Sequence, residues 1–210
     1  MFLKENVYKI DTTAGAYAYV VRNEHGITMI DAFIAGNEEA IMAELKAVDL
    51  DKIDRILLTH ADYDHVGCAA GIQELTGCDV FISAREMETV DNPSLRRTTD
   101  GGLIPFVDPN QDCAMPNVKV FEGDSIAGFT IIPAYGHTWG HTAFLHDGVL
   151  FLGDLLAEGE GRWQPFSELY TRDPKQSAED IAYISSSFEF ELACPAHGQP
   201  LVCSVLDNTG

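Results

Sequence analysis

Positive charge is scarce in this sequence. Only 13 Lys and Arg stand against 33 Asp and Glu in 210 residues, leaving a formal net charge of -20 at pH 7. A protein that tracks a phosphate backbone needs a positive stripe, so nucleic acid is not an expected partner. An anionic membrane surface is not an expected partner either, on the same ground, and the surplus acid suits a solvated, self-repelling surface. No stretch approaches the ~20 apolar residues of a membrane span. Lys4, Glu5 and Lys9 interrupt what would be the apolar core of a secretion signal. A disulfide framework is missing too: Cys68, Cys78, Cys113, Cys194 and Cys203 are odd in number and scattered, with no Cys-x-x-Cys pair. These absences point to a reducing, cytoplasmic setting. Cys68 reads as small buried packing or, less favoured, as a thiol standing behind the cluster described next.

What is present is an ordinary globular composition, 46% apolar and 22% charged. Such a length suits one domain with a sizeable core. Histidine is rare, 7 in all, so its clustering carries weight. Four potential metal ligands crowd Thr59-His60-Ala61-Asp62-Tyr63-Asp64-His65-Val66-Gly67, directly after the apolar run 53–58. A buried strand delivers the residues that follow it into a crevice at the carboxyl edge of its sheet. Extended alternation places His60, Asp62 and Asp64 on one side and turns Tyr63 toward the core. Two imidazoles and two carboxylates suit zinc, iron or manganese.

Along the chain, 6–10, 15–22 and 26–33 read as a meander of antiparallel strands, with His25 exposed in the turn between the last two. A helix is predicted over 37–48 from Ile41, Leu45 and Val48, then a strand at 53–58 and a helix at 68–76 closed by Gly77. A further strand follows at 79–83. Residues 85–117, rich in Pro and Gly, read as an irregular insertion or lid. Arg85, Arg96 and Arg97 lie there; they could meet an anionic substrate, with surface salt pairing their expected use. Strands at 118–123 and 128–133 are expected to pair with each other. A fully apolar strand at 149–152, a loop at 157–165, a helix at 175–186 capped by Asp173 or Ser177, and a run 192–195 complete the chain, read as a single domain over 1–210.

Three later stretches repeat one arrangement: Gly136-His137, Gly153-Asp154 and Ala196-His197-Gly198 each stand just past an apolar run. Independent accidents should not all fall at strand ends. The set His60-x-Asp62-x-Asp64-His65, Gly136-His137, Gly153-Asp154 and Ala196-His197-Gly198 resembles the metallo-β-lactamase superfamily in order and spacing over nearly the whole chain. Asp31 matches that family's first Asp, which stands behind the ligands. The resemblance implies an αβ/βα sandwich with two mixed sheets face to face, helices outside, and a metal pair in a cleft at one edge. It assigns one metal to His60, Asp62 and His137, a second to Asp64, His65 and His197, and a bridging role to Asp154. His141 is expected to support the site without ligating, and His146 to lie at the surface.

Asp62 departs from the pattern, since most hydrolytic relatives have His there. With His, two divalent ions, two carboxylates and a bridging hydroxide sum to +1; with Asp62, Asp64 and Asp154 they sum to 0. The site is harder and less electrophilic, which shifts preference from zinc toward iron or manganese, and a bridging hydroxide is more basic. The implied reaction is hydrolysis of an ester, thioester or lactone in a small acyl substrate, with Asp64 steering the nucleophile and relaying a proton. Tyr135 and Tyr170 are candidates for hydrogen bonding to substrate, and Trp139, Trp163, Phe166 and Phe106 for an apolar wall. Two other classes stay open: a di-iron redox or oxygen-binding protein like the flavodiiron reductases, which carry a flavodoxin domain not found in this sequence, and a non-catalytic metal-binding regulator. Nuclease chemistry is disfavoured by the charge, and β-lactam hydrolysis by Asp62 and the missing secretion signal.

Overall fold

The computed structural model describes residues 1–91 and 113–202. The first sheet has seven strands in sequence order: β1 (Phe2–Lys4), β2 (Val7–Lys9), β3 (Tyr19–Asn23), β4 (Gly26–Ile30), β5 (Arg55–Leu57), β6 (Asp79–Ile82) and β7 (Val118–Val120). Neighbours from β1 to β4 are antiparallel, and β4 to β7 run parallel. The second sheet uses β8 (Ser125–Ile126), β9 (Phe129–Pro133), β10 (Thr142–His146), β11 (Val149–Gly153), β14 (Leu192–Pro195) and β15 (Leu201–Val202). Its order is β15-β14-β11-β10-β9-β8, with β11 and β14 parallel. A two-stranded ribbon, β12 (Leu156–Gly159) with β13 (Arg162–Pro165), stands apart. The helices are α1 (Glu38–Ala47), α2 (Tyr63–Val66), α3 (Ala69–Thr76), α4 (Ala84–Asp91) and α5 (Pro174–Ser187).

Period-two side chains explain why the layers stack. On β3, Tyr19 and Val21 point into the space between the sheets while Val20 points to the helix side. Ile30 and Leu57 face inward, and Met29, Ile56 and Leu58 face α1 and α3. In the second sheet Phe151 faces the first sheet, whereas Leu150 and Leu152 face α5 and the ribbon. Strands buried on both faces must be apolar at every position, which is why 149–152 carries no polar residue. The result is helices, sheet, sheet, helix: an αβ/βα sandwich. Asp173 caps α5 by accepting from the Gln176 amide (3.0 Å), with Pro174 at its first position. Gly77 ends α3 in the left-handed region.

Several expectations need correction. β7 pairs with β6 of the first sheet, and β9 pairs with β8 and β10, so 118–123 and 128–133 belong to different sheets. The chain crosses between sheets at Glu122–Asp124, a change that hydrophobic patterning does not record. β10 was not foreseen, and 157–165 is a hairpin whose tip, Glu160-Gly161, takes positive φ at both residues. Residues 84–91 are helical, not irregular. Residues 92–112, with Arg96, Arg97, Phe106 and most of the expected lid, lie outside the described residues, as does Cys203. Trp163 sits in the core beneath α5, so it forms no wall of the cleft. Cys68 is core as well, donating its thiol to the Ile34 carbonyl at 2.9 Å. No described helix is long and apolar enough to cross a membrane.

Phe151, 1% exposed, sits between the sheets with its ring 5.5 Å from that of Tyr19. Replacing Phe151 by Ala is expected to lower the unfolding free energy by about 3–5 kcal/mol, read by urea denaturation. A loss below about 1 kcal/mol would show that the two sheets do not depend on this contact.

Candidate metal centre

The site forms where strands of both sheets end at one edge. β4 gives way to Asp31, whose φ of 57° turns the chain sharply. β5 leads into Thr59 and His60, β9 into His137, β11 into Asp154 and β14 into His197. The two sheets are joined there directly: the Thr142 amide donates to the Thr59 carbonyl (2.9 Å) and the Tyr19 hydroxyl to the Pro195 carbonyl (2.5 Å). Extended alternation holds only as far as Asp62. The chain then turns into the single-turn helix α2, so Asp64 and His65 both reach the cleft and Tyr63 is left half-buried outside the core. Gly153 is required, because φ is 52° and a Cβ there would stand 2.7 Å from both Thr59 Oγ1 and His141 Nε2.

All seven expected ligand side chains converge. Three groups could hold a metal: His60, Asp62 and His137; Asp64, His65 and His197; and His60, His65 and Asp154. Asp154 touches both sides, with Oδ1 3.2 Å from His65 Nε2 and Oδ2 3.6 Å from His137 Nε2 and 3.3 Å from His197 Nε2. Asp62 Oδ2 lies 3.6 Å from His60 Nε2 and 3.8 Å from His137 Nε2. Asp64 Oδ2 lies 3.5 Å from His197 Nε2. Metal bonds of about 2.0–2.2 Å would put two donors about 3.0–3.4 Å apart at octahedral to tetrahedral angles, close to these spacings. Buried and with no hydrogen bond among the described residues are the Nε2 atoms of His60, His65 and His137 and Oδ1 of Asp154. Buried polar atoms left so are rare unless an ion serves them. The residues therefore fit a metal pair.

Groups behind the cluster set which nitrogen is presented. Asp31, 3% exposed, accepts from the Thr59 amide (2.8 Å) and from Thr59 Oγ1 (2.8 Å), and its Oδ2 also takes Nδ1–H of His65 (2.8 Å). Having spent its hydrogen on Asp31, Thr59 Oγ1 can only accept from His60 Nδ1 (2.9 Å). Both imidazoles are thus anchored through Nδ1 and turn Nε2 into the cleft, that of His60 as a lone pair. The His141 ring is buried, its Nε2 accepts from the Asp154 amide (3.2 Å), and burial pushes its pKa down to about 3. The ring is neutral and holds the Asp154 backbone.

Burial, reinforced by His65 and His137, pulls the pKa of His60 well down. Burial is the largest single pull on His65 and His197 and lowers both, but the carboxylates together outweigh it: Asp154, Asp31 and Asp64 at His65, Asp154 and Asp64 at His197. His65 is held well above the ordinary range, and His197 reaches about 10. Burial would raise Asp154, yet His65 and His197 carry it well below the carboxylate range. Protons here occupy places that a divalent cation would take with their release.

Glu86 was missed by the sequence reading. Fully buried on α4, its carboxylate accepts from the Ala61 amide (3.1 Å), Thr138 Oγ1 (2.7 Å) and the Gly140 amide (2.9 Å). It ties the loop of His60 and Asp62 to the loop of His137. The only signal was helical spacing inside a stretch dominated by Pro and Gly. Phe166 does line the cleft, 5.1 Å from the rings of both His137 and His197, with Tyr170 beside it at 6.3 Å. Tyr135 and Trp139 instead carry the Arg85 guanidinium, 3.9 and 4.3 Å from their ring centroids, so Arg85 stacks where salt pairing was expected. His146 is half-buried against Phe129, and His25 is exposed in its turn.

The family model described as metallo-beta-lactamase superfamily matches residues 11–197. The chain belongs to this superfamily. Among superfamily relatives, it is 27% identical to a probable metallo-hydrolase of Methanocaldococcus jannaschii over 95% of this chain and 93% of that one. It is 32% identical to a hydroxyacylglutathione hydrolase of Aeromonas hydrophila over 70% of this chain, a match spanning about half (49%) of that enzyme. The crystal structure of TTHA1623 in a di-iron-bound form superposes with a TM-score of 0.70 at 25% identity, covering 92% of this chain and 93% of that one. The family binds divalent metals, and its members named here include metallo-hydrolases.

Asp31→Asn is expected to weaken metal binding about 10–100-fold, measured by competition with a chromogenic chelator. A change within twofold would mean that Asp31 does not orient His65 and Thr59.

Proposed function

We propose that this superfamily member is a hydrolase with a dinuclear metal site that cleaves an ester, thioester or lactone bond in a small acyl substrate. His60, Asp62 and His137 would hold one ion, Asp64, His65 and His197 the other, and Asp154 both. What carries the reading is the set of buried, unbonded Nε2 atoms on His60, His65 and His137 facing carboxylates, with Asp31 and Thr59 fixing the tautomers at two of them. When bound, a divalent pair supplies a polarising Lewis acid and a water deprotonated near neutral pH. Asp64, at the mouth of the cleft, is the carboxylate suited to take a proton from the attacking water and return it to the leaving group. Phe166, packed on His137 and His197, keeps bulk water from one side of the cleft. Residues 1–210 are read as a single domain, supported by strands from β1 to β15 joining two facing sheets and by a family match over most of the chain.

A second reading, iron-based redox or oxygen chemistry, is favoured by Asp62, which adds a hard oxygen donor, and by the di-iron form of TTHA1623. Elemental analysis of freshly purified protein, followed by an ester, thioester and lactone panel with the metal found, separates the two. Turnover that disappears in Asp154→Ala together with the metal supports hydrolysis. Unchanged metal content in Asp154→Ala, or full metal occupancy with no turnover of any panel member, sinks the hydrolase assignment.

Asp62→His is expected to raise bound zinc relative to iron several-fold in protein grown with both metals. An unchanged ratio would remove the charge argument for iron or manganese.

A further inference from the structure

Two guanidiniums share one indole on the loop that follows His137. In a chain with 33 acidic residues, Lys4, Lys9, Arg22, Lys119 and Lys175 each find a carboxylate within 4.0 Å. Among the described residues Arg85 and Arg172 do not, and neither do Lys46, Lys52, Arg55 and Arg162; what sets Arg85 and Arg172 apart is the ring they share. Both their guanidiniums lie over the same indole, that of Trp139, at 4.3 and 4.4 Å from its centroid. Arg85 also covers Tyr135. The nearby acids are engaged elsewhere: Glu88 accepts from Trp139 Nε1 (3.2 Å), and Asp173 caps α5. Burial and the neighbouring Arg85 charge pull the pKa of Arg172 down against the opposing pull of Asp173. Two like charges are gathered on one ring, with Asp173 acting on Arg172 at longer range and no carboxylate within ion-pair distance of either guanidinium among the described residues.

Stacking on an aromatic face leaves the planar N–H edge of a guanidinium open, the edge that grips carboxylate or phosphate in a bidentate way. The cluster is also tied to the candidate centre. Trp139 lies two residues beyond His137, the Arg172 amide donates to the His137 carbonyl (2.9 Å), and Arg85 precedes Glu86, which clasps Ala61 and Gly140. The backbone that carries all three side chains is thus tied to the loops of His60, Asp62 and His137.

We propose that Arg85 and Arg172, braced on Trp139, form an oxyanion-binding rim that selects substrates carrying a carboxylate or phosphate group on the His137 side of the scissile bond. In a strongly acidic chain the rim supplies the local positive field that an anionic substrate needs. As a specificity device the rim rests on the hydrolase reading; as a binding site it does not.

The test has two arms. Binding of glutarate and of inorganic phosphate to the purified protein is followed by tryptophan fluorescence in a Trp163→Phe background, in parental protein and with Arg85→Gln plus Arg172→Gln added. Hydrolysis of matched esters, one with a free carboxylate or phosphate and one with that group capped as a neutral amide or ester, is compared in the same pair. The expected result is saturable anion binding weakened at least about 10-fold in the double variant, and a preference of kcat/KM for the anionic ester that is carried by KM and falls to within about threefold. Whichever of the two anions binds more tightly names the oxyanion. Binding or preference that survives in the double variant, or no binding of either anion in the parent, overturns the rim. Anion binding lost in the variant with no turnover of any ester leaves the rim standing and removes the hydrolase reading. Turnover with no anion preference does the reverse. Arg172→Gln alone, on a half-exposed side chain, guards against loss of fold in the double variant and is expected to show a partial effect of the same sign.

Discussion

One buried carboxylate organises the candidate site. Asp31 sits where β4 ends, in a backbone conformation with positive φ, and collects the Thr59 amide, the Thr59 hydroxyl and His65 Nδ1. A buried charge is tolerated only when its hydrogen bonds are complete, and these three satisfy it. In doing so they join the end of β4 to the end of β5 and to helix α2. The same bonds decide which nitrogen of His60 and His65 faces the cleft. Fold and chemistry share the contact, so the site cannot be loosened there without disturbing the chain that builds it.

Glu86 performs a comparable task at the other end of the cleft. Its carboxylate holds backbone of the His60–Asp62 loop and of the His137 loop together, while Asp154 reaches toward His65, His137 and His197 from the second sheet. Carboxylates thus bring the two halves of the sandwich together at one edge. Concentrating negative charge in this way calls for cations in the cleft, and among the described residues the protein offers mainly histidine protons there. The arrangement makes chemical sense for a site built to take up metal ions, and Asp62 adds a third carboxylate to those of Asp64 and Asp154.

The stacked pair Arg85 and Arg172 extends the same electrostatic theme outward. With the proposed rim in place, a cleft that draws cations inside would be polarised along its length. That polarity gives a direction in which a charged substrate can lie, something a ring of ligands alone would not supply.

His60, Asp62, Asp64, His65, His137, Asp154 and His197 were all legible in the sequence. Ligand types next to Gly at strand ends form a local pattern, and the order of those patterns carries the family. Alternating apolar residues likewise exposed the meander, the helix after it and the doubly buried strand at 149–152. Tertiary structure alone decided the rest. Which sheet receives β7, that 157–165 folds into a ribbon, and that α2 breaks the alternation after Asp62 all depend on partners far away in the chain. Glu86, Thr138 and the Arg85–Trp139–Arg172 stack were invisible for the same reason. A carboxylate that binds two distant backbone amides, or a guanidinium that rests on a ring fifty residues away, leaves no spacing in the sequence; only packing brings those groups together.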